Sequence, residues 1–142
     1  MKTLLLLLFV CPFLTANATT YYFSSSSGND SRSEQQAKNE STPWRTLSKL
    51  NSIFNRLQPG DRVLLKRGDT FYGSIIVSKS GTANSPIVVG AYGSGDKPVI
   101  TSLVRLSNWV WKGNGIWEGS NSALNETLNV VLINGVEQEM GR

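Results

Sequence analysis

The sequence predicts a mostly β fold whose strands stack as a solenoid, and three observations carry that expectation. Val63-Leu64-Leu65, Ile75-Ile76-Val77 and Ile87-Val88-Val89 are short apolar runs rich in β-branched residues. Turn formers bound each of them: Pro59-Gly60-Asp61, Gly68-Asp69, Ser80-Gly81 and Asn84-Ser85-Pro86, which would break any helix. The third run begins 24 residues after the first, and Val99-Ile100-Thr101 begins 24 residues after Ile75. Two interleaved series with one period suit a coil that returns over itself every two strands. Evenly spaced strands also suit a β-sandwich, and the period alone leaves that open. The coil predicts Val63–Leu65 parallel beside Ile87–Val89, and Ile75–Val77 beside Val99–Thr101.

Taken in order, the chain opens with the pattern of a secretory signal peptide over residues 1–18. Lys2 is its basic end, Leu4 to Leu14 its apolar segment and Ala16-Asn17-Ala18 its cleavage site. The apolar segment is too short to span a bilayer. Val10 before Cys11 argues against lipidation, and cleavage after Ala18 leaves no cysteine, hence no disulfide. The expected location is extracellular or periplasmic. Residues 19–142 then form one domain at most.

Tyr21-Tyr22-Phe23 reads as a first strand, and polar Ser24 to Thr42 as a solvated loop. Thr46 to Leu57 predicts a helix, because Leu47, Leu50, Ile53, Phe54 and Leu57 recur at three- and four-residue steps. Ser41 or Thr42 is its expected cap, with Pro43 in the first turn and Pro59-Gly60 as the stop. Such a helix suits the open end of a solenoid. After Val99 to Ser102, Trp109 to Glu118 predicts a hairpin, and Leu128 to Met140 a second one turning on Asn134-Gly135. These hairpins form an excursion from the coil. Few regular rungs and no second cap lead to the expectation of a fragment.

The run PWRTL, and then LQPGDRVLLKRGDTFYGSIIVSKSGTANSPIVVGAYGSGDKPVI, resembles the N-terminal portion of secreted right-handed parallel β-helix proteins, the pectate-lyase-like superfamily. The resemblance extends to YYFS, Gly28-Asn29-Asp30, GNGIWE and VVLINGVEQEMGR. It implies a right-handed parallel β-helix with an N-terminal capping helix. It also implies a carbohydrate-active protein, a polysaccharide lyase acting on an acidic glycan or a glycoside hydrolase. In such lyases a base removes the proton α to a uronate carboxylate, with calcium or Lys/Arg stabilising the charge. Those groups lie on central rungs, so the resemblance places catalytic residues, and any calcium, beyond Arg142. No catalytic or metal residue is assigned within the chain. A glycan-binding or surface-attachment protein without enzymatic activity is the alternative.

Residue chemistry narrows the field. The chain has no histidine, which excludes a Ser–His or Cys–His nucleophile and a His-ligated zinc within it. It carries no phosphate loop or dinucleotide fingerprint. A net charge of +4 spread without an arginine-rich run argues against nucleic acid as partner. Asp61, Lys66, Arg67 and Asp69 are the right types for acid–base work, but their place in or beside turns, with Asp61 and Asp69 just after glycines, predicts turn or solvent residues. Arg67-Gly68-Asp69 spells an adhesion tripeptide and reads better as a turn. The sequons at Asn29, Asn39 and Asn125 matter only in a glycosylating host. Trp109, Trp111 and Trp117 are the candidate substrate-binding residues, as a platform for stacking a polysaccharide. Cross-strand packing within the hairpin, or packing onto the coil, is the plainer expectation.

Overall fold

The computed structural model describes residues 18–124 and 130–139. The signal-peptide reading of residues 1–18 therefore falls almost wholly outside the described residues, as does the start of the second predicted hairpin. Five strands enter the main parallel pairings: β1 (Thr20–Phe23), β2 (Arg62–Lys66) and β4 (Val88–Tyr92) form one group, and β3 (Thr70–Tyr72) with β5 (Val99–Thr101) forms the other. The three-stranded sheet runs β1-β2-β4 and the two-stranded sheet β3-β5, all parallel. Alternation sends Tyr21, Phe23, Val63 and Leu65 to one side, where all four are buried.

The first half of the chain closes that core. Helix α2 (Leu47–Phe54) lays Leu47, Leu50, Ile53 and Phe54 onto it, and Leu57 follows. Burying each such side chain is worth about 1.5–3 kcal/mol. Thr46 is the cap, its Oγ1 accepting from Lys49 N at 3.1 Å, in place of the expected Ser41 or Thr42. Pro43 and Trp44 stay extended because Trp44 pairs beside Phe23 at the edge of β1. Asp30 fixes the cap: its carboxylate accepts from Arg45 N, Thr46 N and the Thr46 hydroxyl.

Ser24 to Thr42 is more ordered than its polar composition predicts. Ser33 and Gln36 form a capping box around the short helix α1 (Glu34–Ala37), which buries Ala37. At Gly28 the backbone folds so closely that a Cβ would fall 2.2 Å from Trp44 O and 2.3 Å from Ser24 O. Polar residues satisfy this turn's backbone, so an apolar pattern was never needed to hold it.

The parallel registers differ from the 24-residue expectation. Arg62 pairs with Val88 and Val63 with Val89, 26 residues on. The two-residue slip preserves the face, so Val89 still takes the inward position. The second pairing changes partners: Thr70–Tyr72, not Ile75–Val77, lies beside Val99–Thr101. Phe71 fills the core, and Gly73, with φ of 114°, ends the strand before Ile75. Asn51 on α2 then claims the later backbone, donating to Ser74 O and accepting from Ile76 N. Ile75 packs against the core, while Ile76 and Val77 are exposed.

The remaining strands are antiparallel hairpins, β6 (Trp109–Gly113) with β7 (Ile116–Gly119) and β8 (Val131–Ile133) with β9 (Val136–Gln138). Left-handed Asn114 and Asn134 each precede a left-handed glycine in their turns. The sheets are three and two strands deep, and the described residues contain no closed solenoid. No helix among the described residues is long and apolar enough to cross a membrane.

Candidate functional site

The acid–base candidates are anchored in the scaffold. Asp61 and Asp69 close turns as expected, Asp61 N donating to Gln58 O and Asp69 N to Lys66 O, but both are buried, which corrects their reading as solvent residues. Asp61 Oδ2 also accepts from Gln58 N at 2.7 Å, and its Oδ1 accepts from Thr19 N at 2.8 Å. Asp69 Oδ2 takes the Ser24 hydroxyl at 2.7 Å and Ser26 N at 3.3 Å. Burial pushes the Asp69 carboxyl up, but these donors outweigh it and hold the group below the usual carboxylate range. That environment suits a permanently charged anchor, not a proton-exchanging acid. Each carboxylate ties a strand end to a turn from a distant stretch of chain.

Lys66 ends β2 and lies in register with Tyr92, and Arg67 N donates to Tyr92 O at 2.9 Å. Gly68 N donates to Asp96 O at 2.8 Å. With Asp69 buried, the Arg67-Gly68-Asp69 tripeptide is a turn whose acid is not presented. The Tyr92 hydroxyl is buried without a hydrogen-bond partner among the described residues. Burial, then the negative charges of Glu40 and Asp69, push it up to about 12.

Trp109, Trp111 and Trp117 come together. Residues two apart on a strand share a face, and Trp111 faces Trp117 across the hairpin. Their rings lie 5.3 Å apart at 58°. Trp109 is opposite Gly119, and its ring covers that glycine: a Cβ there would approach Cε3 and Cζ3 to 3.0 Å. Cross-strand packing thus exists, yet the indoles remain 51–59% exposed. The other face carries Val110 and an ion pair of Lys112 with Glu118 at 3.5 Å.

At the foot of this hairpin Ser107, Asn108, Ser120 and Ser122 line an open polar depression together with Asn121. Asn121 is held by its own bonds, Nδ2 donating to Arg105 O at 3.2 Å and Oδ1 accepting from Ala123 N at 2.9 Å. The sequence reading singled out none of these amides and hydroxyls. Their polar composition marks a loop, and only the fold gathers them from both sides of the hairpin. No group of three or more acidic, cysteine or histidine side chains collects as a cation site among the described residues.

An exposed indole face above hydroxyls and amides has the chemistry of a carbohydrate-contacting surface. No known family profile matches the chain. It is similar to a lacto-N-biosidase of Bifidobacterium longum subsp. longum, 42% identical over 100 residues, covering 67% of this chain and 6% of that protein. Among solved structures, the GH136 lacto-N-biosidase of Eubacterium ramulus is 40% identical, with a TM-score of 0.49 over 56% of this chain and 12% of that one. A structure described as a glycoside hydrolase gives 0.50 at 22% identity, over 70% and 17%, a likeness of fold. The chain therefore spans only a small part of the relatives it matches.

The 42% identical relative overturns the pectate-lyase-like resemblance: it is carbohydrate-active, as that resemblance implied, but it is a lacto-N-biosidase and not a lyase. The shared PGD and RGD-type turns reflect short strands joined by tight turns, and such turns do not specify a reaction. Short sheets without a closed solenoid fit the same correction.

Proposed function

We propose that the protein carrying this chain is a secreted glycoside hydrolase of the lacto-N-biosidase kind, acting on an oligosaccharide. The observation that carries this reading is the 42% identity over 100 residues to such an enzyme. Secretion is supported by the basic, apolar and small-residue pattern of residues 1–18. Within the whole protein, this chain supplies scaffold and a sugar-contacting face. A glycosidase needs two carboxylates facing the scissile bond. Asp61 and Asp69 are instead buried under backbone and hydroxyl donors, Asp30 caps α2, and Glu34 takes the Tyr21 hydroxyl.

In this proposal α2 covers one side of the parallel stacks, and β4 and β5 are their edge strands among the described residues. The test is incubation of full-length protein with an oligosaccharide ending in lacto-N-biose, following released disaccharide by chromatography. Release of lacto-N-biose is the expected result. Binding without turnover would favour the alternative, a glycan-binding protein without enzymatic activity, which the exposed indoles also suit.

A further inference from the structure

A second, shallow depression adjoins the one at the hairpin foot. Tyr72 ends β3 in the outward register position next to core-facing Phe71, and it is 52% exposed. Its backbone is fixed, because Tyr72 pairs with Thr101 and Gly73 N donates to Thr101 O at 2.8 Å. Leu103 and Val104 continue from β5 and are exposed, and Leu103 N donates to Thr101 Oγ1 at 3.2 Å. With Arg105 and Asn121 they line a groove of about 460 Å³. Asn121 lines both this groove and the polar depression of about 560 Å³ at the hairpin foot, so the two meet at its amide.

We propose that this groove, from Tyr72 across Arg105 and Asn121 to the hairpin foot, binds a neutral oligosaccharide, one sugar seated on Tyr72 and the next among the hydroxyls and amides. The assignment rests on the glycoside hydrolase reading and adds the place and charge class of the sugar. A pyranose has an apolar C–H face and a hydroxyl rim. Tyr72, Leu103 and Val104 match the face. Arg105 and the Asn and Ser side chains match the rim, since a guanidinium presents several donors and an amide both donates and accepts. A polyuronate would bring a carboxylate with every residue, and the groove's lining offers one guanidinium to meet them.

The test uses full-length protein labelled for NMR, titrated with lacto-N-biose and, separately, with oligogalacturonate. Lacto-N-biose should shift the amides of Gly73, Leu103 and Asn121. Tyr72→Ala should weaken binding about tenfold, or about 1.4 kcal/mol, and Tyr72→Phe should retain it, because the ring and not the hydroxyl makes the contact. The half-exposed position allows the fold to survive, which unchanged shifts in β1 and β2 would verify. Shifts confined to the hairpin indoles, equal affinity in Tyr72→Ala, or preference for oligogalacturonate would each overturn the groove. The enzyme reading fails separately: groove binding without release of disaccharide removes the hydrolase, and release with an unaltered Tyr72→Ala removes only the groove.

Discussion

Residues at matched register positions have very different surroundings in the two halves of this molecule. Val63 on β2 is fully buried, and its partner Val89 on β4 is 42% exposed. Phe71 on β3 is 1% exposed, and Ile100 beside it on β5 is 45% exposed. The strands pair in the same parallel sense and the side chains take equivalent places. What differs is the next layer. β2 lies between β1 and β4 under α2, whereas β4 and β5 are edge strands among the described residues. Strand pairing therefore supplies backbone bonds to both halves, but hydrophobic stabilisation accrues mainly to the half whose side chains join the core cluster with α2.

That contrast makes the largest test a matched pair. Phe71→Ala should destabilise by about 3–5 kcal/mol, and Phe54→Ala on α2 by a similar amount. Ile100→Ala should cost only about 1 kcal/mol, since half its surface is already in water. Urea unfolding followed through β1–β3 amides would measure both. Equal losses would show that the second half is enclosed in solution and would erase the comparison.

Next in size is the anchor between the halves of the first region. Asp69→Asn removes a charged acceptor from Ser24 and should cost about 1–3 kcal/mol at neutral pH. Because the folded carboxyl sits below its ordinary value, its contribution is present above about pH 4 and is lost as pH falls through the folded value. The gap between wild type and Asp69→Asn should therefore shrink on acidification. A gap independent of pH from 7 to 2 would assign the effect to packing alone.

Asn51→Ala tests the boundary between the regions and should cost about 0.5–1.5 kcal/mol, with faster amide exchange confined to residues near Ile76. Protection that persists there would mean Ile75 alone holds the segment. The smallest effect is expected at the periphery. Trp117→Ala should change the unfolding of β1–β3 by less than about 0.5 kcal/mol, because its partner is Trp111 within the same hairpin. A larger loss would reveal that the indole face is packing surface for the core.

The helix and the turns were legible because their causes are local. Leu47, Leu50, Ile53 and Phe54 write the helical period directly, and Asn134-Gly135 supplies the left-handed pair that its hairpin turn requires. Trp109 and Trp111 share a face by strand alternation alone. Trp117 joins them only through the hairpin register, which the bulge after Trp111 helps set. Tyr72 and Asn121 are far apart in the chain, and no spacing rule connects them.

By itself, then, the sequence determined short β-branched strands, one amphipathic helix, glycine turns and an aromatic hairpin, all of which depend on neighbours a few residues away. It also contained the resemblance to carbohydrate-active proteins, though not the reaction, since turn motifs are shared by folds with different chemistry. Tertiary structure decided the rest. It set unequal registers in place of the 24-residue period, because the turns between parallel strands differ in length and Phe71, not Ile76, fits the core. It buried Asp61 and Asp69, because distant backbone amides and Ser24 satisfy them there. Polarity marks a residue's cost of burial, but only the assembled donors around it determine whether that cost is offset.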